Sequence, residues 1–83
     1  MRITLKLFVS LAPHLPPGAK GNQIDLDIDE KESPAALLRR LNVPMQLAHL
    51  WLLNGMYIEP EDREDLVMSD GDTLAVWPPV AGG

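Results

Sequence analysis

The chain opens with a regular alternation of apolar and polar residues, which is the period of a β-strand that buries one face. The apolar face of this segment consists of Ile3, Leu5, Leu7 and Val9. Phe8 falls on the opposite face. The pattern predicts a strand over 3–9. The prolines in the stretch 11–18 predict that no regular element follows it directly, because proline removes backbone donors and fixes φ.

A single helix is predicted in the middle of the chain. Ser33 can cap its free amide groups, and Pro34 at the first helical position has no amide to leave unpaired. Leucines then recur at helical spacing, at Leu37, Leu38 and Leu41. Asn42 and Pro44 end the pattern, so we expect a helix of about ten residues.

Four further segments have the composition and length of strands, and they cover residues 24–28, 49–53, 56–58 and 73–77. Asn54-Gly55, a strong hairpin signal, separates the middle pair. Asp70-Gly71-Asp72 is typical of a tight turn before the last strand. The order of elements predicts an α+β fold, with one main helix on one face of a mixed sheet of four to five strands.

Composition narrows the possible functions. At 83 residues the chain has the length of one small domain, and 46% hydrophobic with 23% charged residues is typical of a globular protein. A net charge of −5 without a basic cluster disfavours nucleic acid and anionic membranes as partners. The absence of cysteine excludes disulfides, zinc–thiolate sites and a cysteine nucleophile. The sequence has neither a membrane-spanning apolar run nor the layout of a signal peptide, so we expect a cytoplasmic protein.

Residues that usually carry catalysis are poorly arranged along the sequence. His14 and His49 lack a partner at metal-ligand spacing, and no glycine-rich phosphate loop is present. The alternating aspartates of 25–29 and the acidic run 59–65 are typical of solvated surfaces rather than cation sites, with partner docking as the second interpretation of the run. We therefore expect a protein that is not an enzyme and binds no metal or cofactor.

The carboxyl end carries the clearest functional signal. Pro78-Pro79 stops strand pairing and favours an extended backbone. Val80-Ala81 and Gly82-Gly83 follow with progressively smaller side chains. Because glycine has no Cβ, such an end can enter a narrow channel in another protein. The reactive group that it delivers there is the terminal carboxylate of Gly83.

Together these features resemble the MoaD/ThiS family of ubiquitin-like sulfur carriers, which have the β-grasp fold. The resemblance rests on the opening strand, the helix after Ser33-Pro34, Leu53-Asn54-Gly55, the segment 70–75, and the final Pro-Pro-Val-x-Gly-Gly. This last motif is closer to MoaD, the small subunit of molybdopterin synthase. The resemblance implies a β-grasp domain over 1–77 and an extended tail over 78–83.

The resemblance also implies a chemistry for Gly83. In the family, an adenylyltransferase of the ubiquitin-activating type (MoeB- or ThiF-like) uses MgATP to adenylate the terminal carboxylate, and a sulfur donor converts it to a thiocarboxylate. The tail, formed by Pro78, Pro79, Val80, Ala81 and Gly82, then enters the MoaE-like large subunit, which transfers the sulfur to a pterin precursor of the molybdenum or tungsten cofactor. The carrier itself supplies no catalytic residue.

Three aromatic residues are candidates for a partner interface. Phe8 and Trp77 lie off the apolar faces of their strands, and large aromatic residues on a non-core face often mark an interface. The family packs the sheet face near the tail against both of its partners, which places Phe8 and Trp77 at contacts, and Tyr57 extends this set. The alternative is that a small sheet buries aromatic residues on both faces. Trp51 is expected in the core or at a sheet edge.

Three other functions fit the same sequence. The carrier could serve another acceptor, such as the thiazole of thiamine. Gly83 could form an isopeptide bond to lysines of target proteins, as in a ubiquitin-like modifier. The chain could also be a binding module with an inert tail. The proline-rich stretch 11–21 departs from MoaD-like chains, which often have a short polar helical segment there.

Overall fold

The computed structural model describes residues 1–79. The strands are β1 (Arg2–Leu7), β2 (Gln23–Asp27), β3 (Leu50–Leu53), β4 (Met56–Tyr57) and β5 (Thr73–Trp77), and the α-helix is α1 (Pro34–Arg40). Three short 3-10 helices cover Val9–His14, Met45–Leu47 and Pro60–Asp62. Within the described part of the chain, no helix is long and apolar enough to span a bilayer.

The five strands form one mixed sheet in the order β2-β1-β5-β3-β4. The central strands β1 and β5 are parallel, with Leu5 opposite Leu74 and Leu7 opposite Val76, and the other neighbours are antiparallel. The predicted order of elements and the mixed sheet are therefore confirmed. Because β1 and β5 are parallel, their carboxyl ends lie at the same end of the sheet.

The core lies between one face of the sheet and α1. Its fully buried members from the two central strands and the helix are Ile3, Leu5, Leu7, Leu74, Val76, Leu37 and Leu38. Trp51 joins this cluster from β3, as predicted, and its indole N–H donates to the carbonyl of Ala48 at 2.8 Å. Ile24 and Leu26 cover the edge of the cluster and stay half-buried. One apolar layer thus serves the whole domain.

The start of the chain departs from prediction in two respects. The first strand ends at Leu7, and Val9, predicted to face the core, is 78% exposed with a φ of 54°. The stretch predicted to lack regular structure begins with a 3-10 helix, Val9–His14. This helix tolerates Pro13 because the amide groups of Leu11 and Leu15 close the turns around it. Leu11 is fully buried in place of Val9.

Helix α1 begins as the sequence predicted and ends slightly earlier. The hydroxyl oxygen of Ser33 accepts a hydrogen bond from the amide of Ala36 at 3.1 Å, and Pro34 occupies the first helical position. Regular helix stops at Arg40, because Asn42 adopts a φ of 61° and reverses the chain. Asparagine is one of the few residues that adopt this conformation readily. The helix is therefore seven residues long rather than about ten.

The Ser33 cap leads to a stability prediction. Replacing Ser33 with alanine removes an acceptor from a buried helix end, so the free energy of unfolding should fall by about 1 kcal/mol. Urea denaturation followed by circular dichroism measures this change. Ser69→Ala at an exposed loop position is the matched control and should leave the transition unchanged. Equal effects of the two substitutions would show that the hydroxyl of Ser33 does not stabilise the helix.

Candidate functional site

The site is the end of the sheet from which the carboxyl-terminal segment leaves. Two hydrogen bonds hold the last strand on either side there: the amide of Phe8 donates to the carbonyl of Val76 at 3.1 Å, and the amide of His49 donates to that of Trp77 at 2.9 Å. Pro78 is buried and Pro79 is exposed. The exit point of the chain is thus fixed to the domain by both neighbouring strands.

The remaining predicted residues of the tail are Val80, Ala81, Gly82 and Gly83. They lie outside the described residues, and so does most of the predicted segment 78–83. Their functional assignment rests on the sequence.

Phe8 and Trp77 form a stacked pair at this end of the sheet. Their ring centroids are 4.2 Å apart and their planes differ by 2°. Trp77 alternates with the buried residues Leu74 and Val76, so it lies on the face opposite the helix. Both rings are half-buried, which means that each still offers surface to solvent. The structure therefore brings together two of the three residues predicted for an interface.

Tyr57, the third predicted residue, lies on the same face in β4, which β5 and β3 separate from β1. Leu50 is opposite Trp77, and Leu52 is opposite both Ala75 and Tyr57. Residues paired across strands share a face, so these side chains continue the surface that starts at Phe8. We call its apolar surface the open-face patch, and it consists of Phe8, Leu50, Leu52, Tyr57 and Trp77. Ala75 beneath them is buried, and Lys6 is its partner on β1.

Leu50 and Leu52 were not identified from the sequence. They belong to an apolar run with no period, 49–53, and such a run does not reveal which positions face outward. The only available signal was their position on either side of Trp51. The size of Trp51 favours burial, so its two neighbours in a strand would face the other way. Leu50 is 37% exposed and Leu52 is half-buried, while Trp51 between them is 2% exposed. The patch is therefore more apolar than its aromatic members alone suggest.

Arg63 fixes the far end of the patch. Its guanidinium carbon lies 4.8 Å from the ring centroid of Trp51 and 5.7 Å from that of Tyr57. Its Nε donates to the carbonyl of Ile58 at 3.1 Å, and Nη2 donates to the hydroxyl of Tyr57 at 3.3 Å. The sequence predicted a solvated loop around Arg63. The only feature that marks this residue in the sequence is that it is the single basic residue of an acidic run.

Acidic residues flank Arg63 on both sides in the sequence. Glu59, Glu61 and Asp62 are exposed beside β4, while Glu64 pairs with Arg39 of the helix through two hydrogen bonds of 2.6 Å. These bonds hold the pKa of Glu64 below its usual value. A carboxyl with a lowered pKa stabilises the fold above its unfolded pKa, and this contribution is lost as pH falls through its folded pKa. The pair links this segment to α1, and because both side chains are about half exposed it contributes little to stability.

The acidic and histidine residues were considered as metal ligands from the sequence. Within residues 1–79, no group of three or more histidine, cysteine, aspartate or glutamate side chains is placed to hold a metal ion. Asp25, Asp27 and Asp29 are exposed, and they line one strand and its end. The alternating aspartates thus form the solvated strand face that the sequence predicted.

Solved structures similar to this chain share its fold. SAMP1 from Haloferax volcanii is 22% identical with a TM-score of 0.69, and the match covers 100% of both chains. The Haloferax volcanii HVO 2177 protein is 24% identical with a TM-score of 0.74, over 100% of this chain and 87% of the other. These likenesses confirm the predicted β-grasp fold.

A further match comes from Helicobacter pylori 26695, in a protein–protein complex of subunits 1 and 2 of the molybdopterin-converting factor. The matching chain is 18% identical with a TM-score of 0.64, and the match covers 100% of both chains. Comparison of the sequence with curated proteins finds no match.

Family membership rests on the sequence itself. The profile of the ThiS family matches residues 19–83, which is well over half of the chain and includes Gly82 and Gly83. Small carriers of this family are not catalytic. The chain therefore belongs to the ThiS family, the ubiquitin-like carriers that include ThiS and MoaD.

Proposed function

We propose that the chain carries sulfur as a thiocarboxylate on Gly83 and donates it in molybdopterin biosynthesis, as the small subunit of molybdopterin synthase. The observation that carries this proposal is the sequence Pro-Pro-Val-Ala-Gly-Gly directly after the central strand β5. The proposal divides the chain into a β-grasp domain, 1–77, and a tail, 78–83. The domain presents the tail, and the partners perform the catalysis.

The proposed chemistry begins with activation, because a carboxylate is a poor electrophile. A carboxylate oxygen of Gly83 attacks the α-phosphorus of ATP, and pyrophosphate leaves. Hydrosulfide or an equivalent sulfur donor then attacks the acyl carbon, and AMP leaves. Gly82 and Gly83 present no Cβ to either reaction, so a partner's backbone can approach the terminus closely. The chain itself holds no cofactor, since MgATP is a substrate of the activating partner.

The open-face patch is the proposed docking surface for a MoeB- or ThiF-like adenylyltransferase and for a MoaE-like large subunit. The patch adjoins the exit of the tail, and Phe8, Trp77 and Tyr57 give it an aromatic surface. Aromatic residues are enriched in the centres of interfaces. The acidic segment beside Tyr57 favours a partner surface that is apolar in the middle and basic at its margin. Because activation consumes ATP, we place the chain in the cytoplasm.

The complex from Helicobacter pylori supports the choice of molybdopterin biosynthesis. There, a chain of the same fold is found with the second subunit of the molybdopterin-converting factor. The terminal Pro-Pro-Val-x-Gly-Gly motif points in the same direction, since it is closer to MoaD than to ThiS. A carrier for another acceptor, such as the thiazole of thiamine, would use the same tail and the same activation step.

The second candidate function is that of a protein modifier. The observation favouring it is the full-length similarity to SAMP1, a small archaeal modifier protein of Haloferax volcanii. In that function Gly83 would be joined to a lysine side chain of a target protein. Conjugates of higher mass that contain a Gly83–lysine isopeptide would establish it.

Intact-mass measurement tests the proposal directly. The protein is incubated with MgATP, sulfide and the adenylyltransferase from the same organism, and parallel samples lack either ATP or the enzyme. We expect a mass gain equal to the replacement of one oxygen by sulfur, located at Gly83, only in the complete mixture. An unmodified chain, with the enzyme active on another carrier, would contradict the proposal. Adding the large subunit and the pterin precursor then tests the acceptor.

A further inference from the structure

Val9 has a backbone conformation that its side chain makes unfavourable. Three non-glycine residues of the described chain have positive φ, namely Val9, Asn42 and Asn54. Asparagine tolerates this left-handed region, whereas a β-branched side chain clashes with its own backbone there. At a φ of 54°, Val9 is the one member of the three whose residue type opposes the conformation. Backbone strain of this kind often marks a functional position.

Burial does not compensate for this strain. Val9 is 78% exposed, which is the highest exposure of any large hydrophobic residue in 1–79. The turn itself has a clear structural role, since it starts the 3-10 helix that buries Leu11. Glycine would make the same turn without strain and without exposing an isopropyl group. The side chain of Val9 is thus unfavourable for folding, because it strains the backbone and exposes apolar surface. Its role is therefore sought in contacts with another protein.

The position of Val9 indicates what it contacts. It follows Phe8, which stacks on Trp77, and the parallel pair β1–β5 brings it to the end of the sheet where Pro78 leaves. Four residues follow Pro79, and they reach at most about 14 Å from it even when fully extended. A protein whose active site binds the Gly83 carboxylate must therefore come close to this end of the domain, and Val9 projects from it.

We propose that Val9 is a docking residue for the enzyme that adenylates Gly83, inserted into an apolar recess of that enzyme beside the entrance to its active site. This inference rests on the proposed function, since it requires that the carboxylate be activated by a protein partner. Val9 extends the open-face patch around the exit of the tail, so that the partner contacts the domain on both sides of Trp77.

The test compares substitutions at Val9 with a matched one at Val67. Val67 is 68% exposed and lies in the loop before Asp70, which contacts Arg2 at the opposite end of β1. Pyrophosphate exchange catalysed by the adenylyltransferase of the same organism gives KM and kcat for each carrier, and thermal melting gives stability. We expect Val9→Gly to keep or raise the melting temperature and yet to raise KM about five- to tenfold, with little change in kcat.

Val9→Ala should raise KM in the same direction, whereas Val67→Ala should leave it within about twofold of the native value. Opposite changes in stability and affinity separate a docking role from a structural one, because a structural role would lower both together. If both Val9 variants keep the native KM, this inference is overturned but the proposed function is not. If the enzyme adenylates another carrier but not the native chain, the proposed function fails as well.

Discussion

Deletion of Gly83 is expected to abolish thiocarboxylate formation completely while leaving the domain folded. The shortened chain still ends in a carboxylate, that of Gly82, but this group stops about 3.5 Å short of the reacting position. A displacement of even 1 Å from the reactive geometry costs about a hundredfold in rate, so a shift of one residue should leave no detectable product. Intact mass after reaction with MgATP, sulfide and the adenylyltransferase measures the loss.

Stability measurements on the same variant separate chemistry from folding. The core is built from residues of the described domain, including Leu5, Leu37 and Val76. We expect the melting temperature to match that of the native protein within error. Addition of one glycine after Gly83 is the matched control, because it keeps the diglycine and shifts only the reacting group. If either variant forms the normal amount of thiocarboxylate, the enzyme does not require the terminal carboxylate at the native position.

The same experiment helps to separate the candidate functions. A carrier and a modifier both require the Gly83 carboxylate, so deletion should inactivate either of them. A binding module with an inert tail predicts unchanged function after deletion. The carrier and the modifier then differ in the nucleophile that attacks the activated acyl group, which is a sulfur species in one and a lysine amine in the other. Mass analysis of the products distinguishes the two.

Much of the fold could be predicted because its signals are local. Alternation identified β1 and β2, and Ser33-Pro34 identified the start of α1. Asn54-Gly55 identified the hairpin between β3 and β4, where both residues adopt positive φ. In each case local propensity and burial agree, so the sequence pattern and the three-dimensional structure favour the same conformation.

The errors arose where tertiary packing decides the outcome. Alternation placed Val9 in the core, but the chain turns after Phe8 so that Leu11 fills that position. Nothing in the local sequence indicates a left-handed valine, because the residue type opposes the conformation. Arg63 was missed for a related reason, since its contacts with Trp51 and Tyr57 depend on the path of the loop 59–66. Of the open-face patch, the sequence indicated the aromatic residues but not the leucines beside them, and the roles of the patch and of the tail stay predictions.

Trp77→Ala is expected to weaken binding of the adenylyltransferase by about 2 kcal/mol or more, which is about a 30-fold increase in Kd. Trp77 is half-buried, stacks on Phe8 and lies one residue before the tail. Its removal takes away both a large contact surface and the ring that orients Phe8. Because Trp77 is not a member of the core cluster, the loss of stability should be smaller than the loss of binding. Isothermal titration and thermal melting measure the two quantities.

Two further variants make this prediction specific. Trp77→Phe keeps a ring that can stack on Phe8 and should retain most of the affinity. Met56→Ala removes an apolar side chain that is 72% exposed but paired with Leu53, and so lies on the other face of the sheet. It should bind like the native protein. If Trp77→Ala instead binds normally and unfolds several kcal/mol more easily, the aromatic pair stabilises the domain and the docking surface lies elsewhere. Loss of binding with a preserved fold would place the partner against the open-face patch.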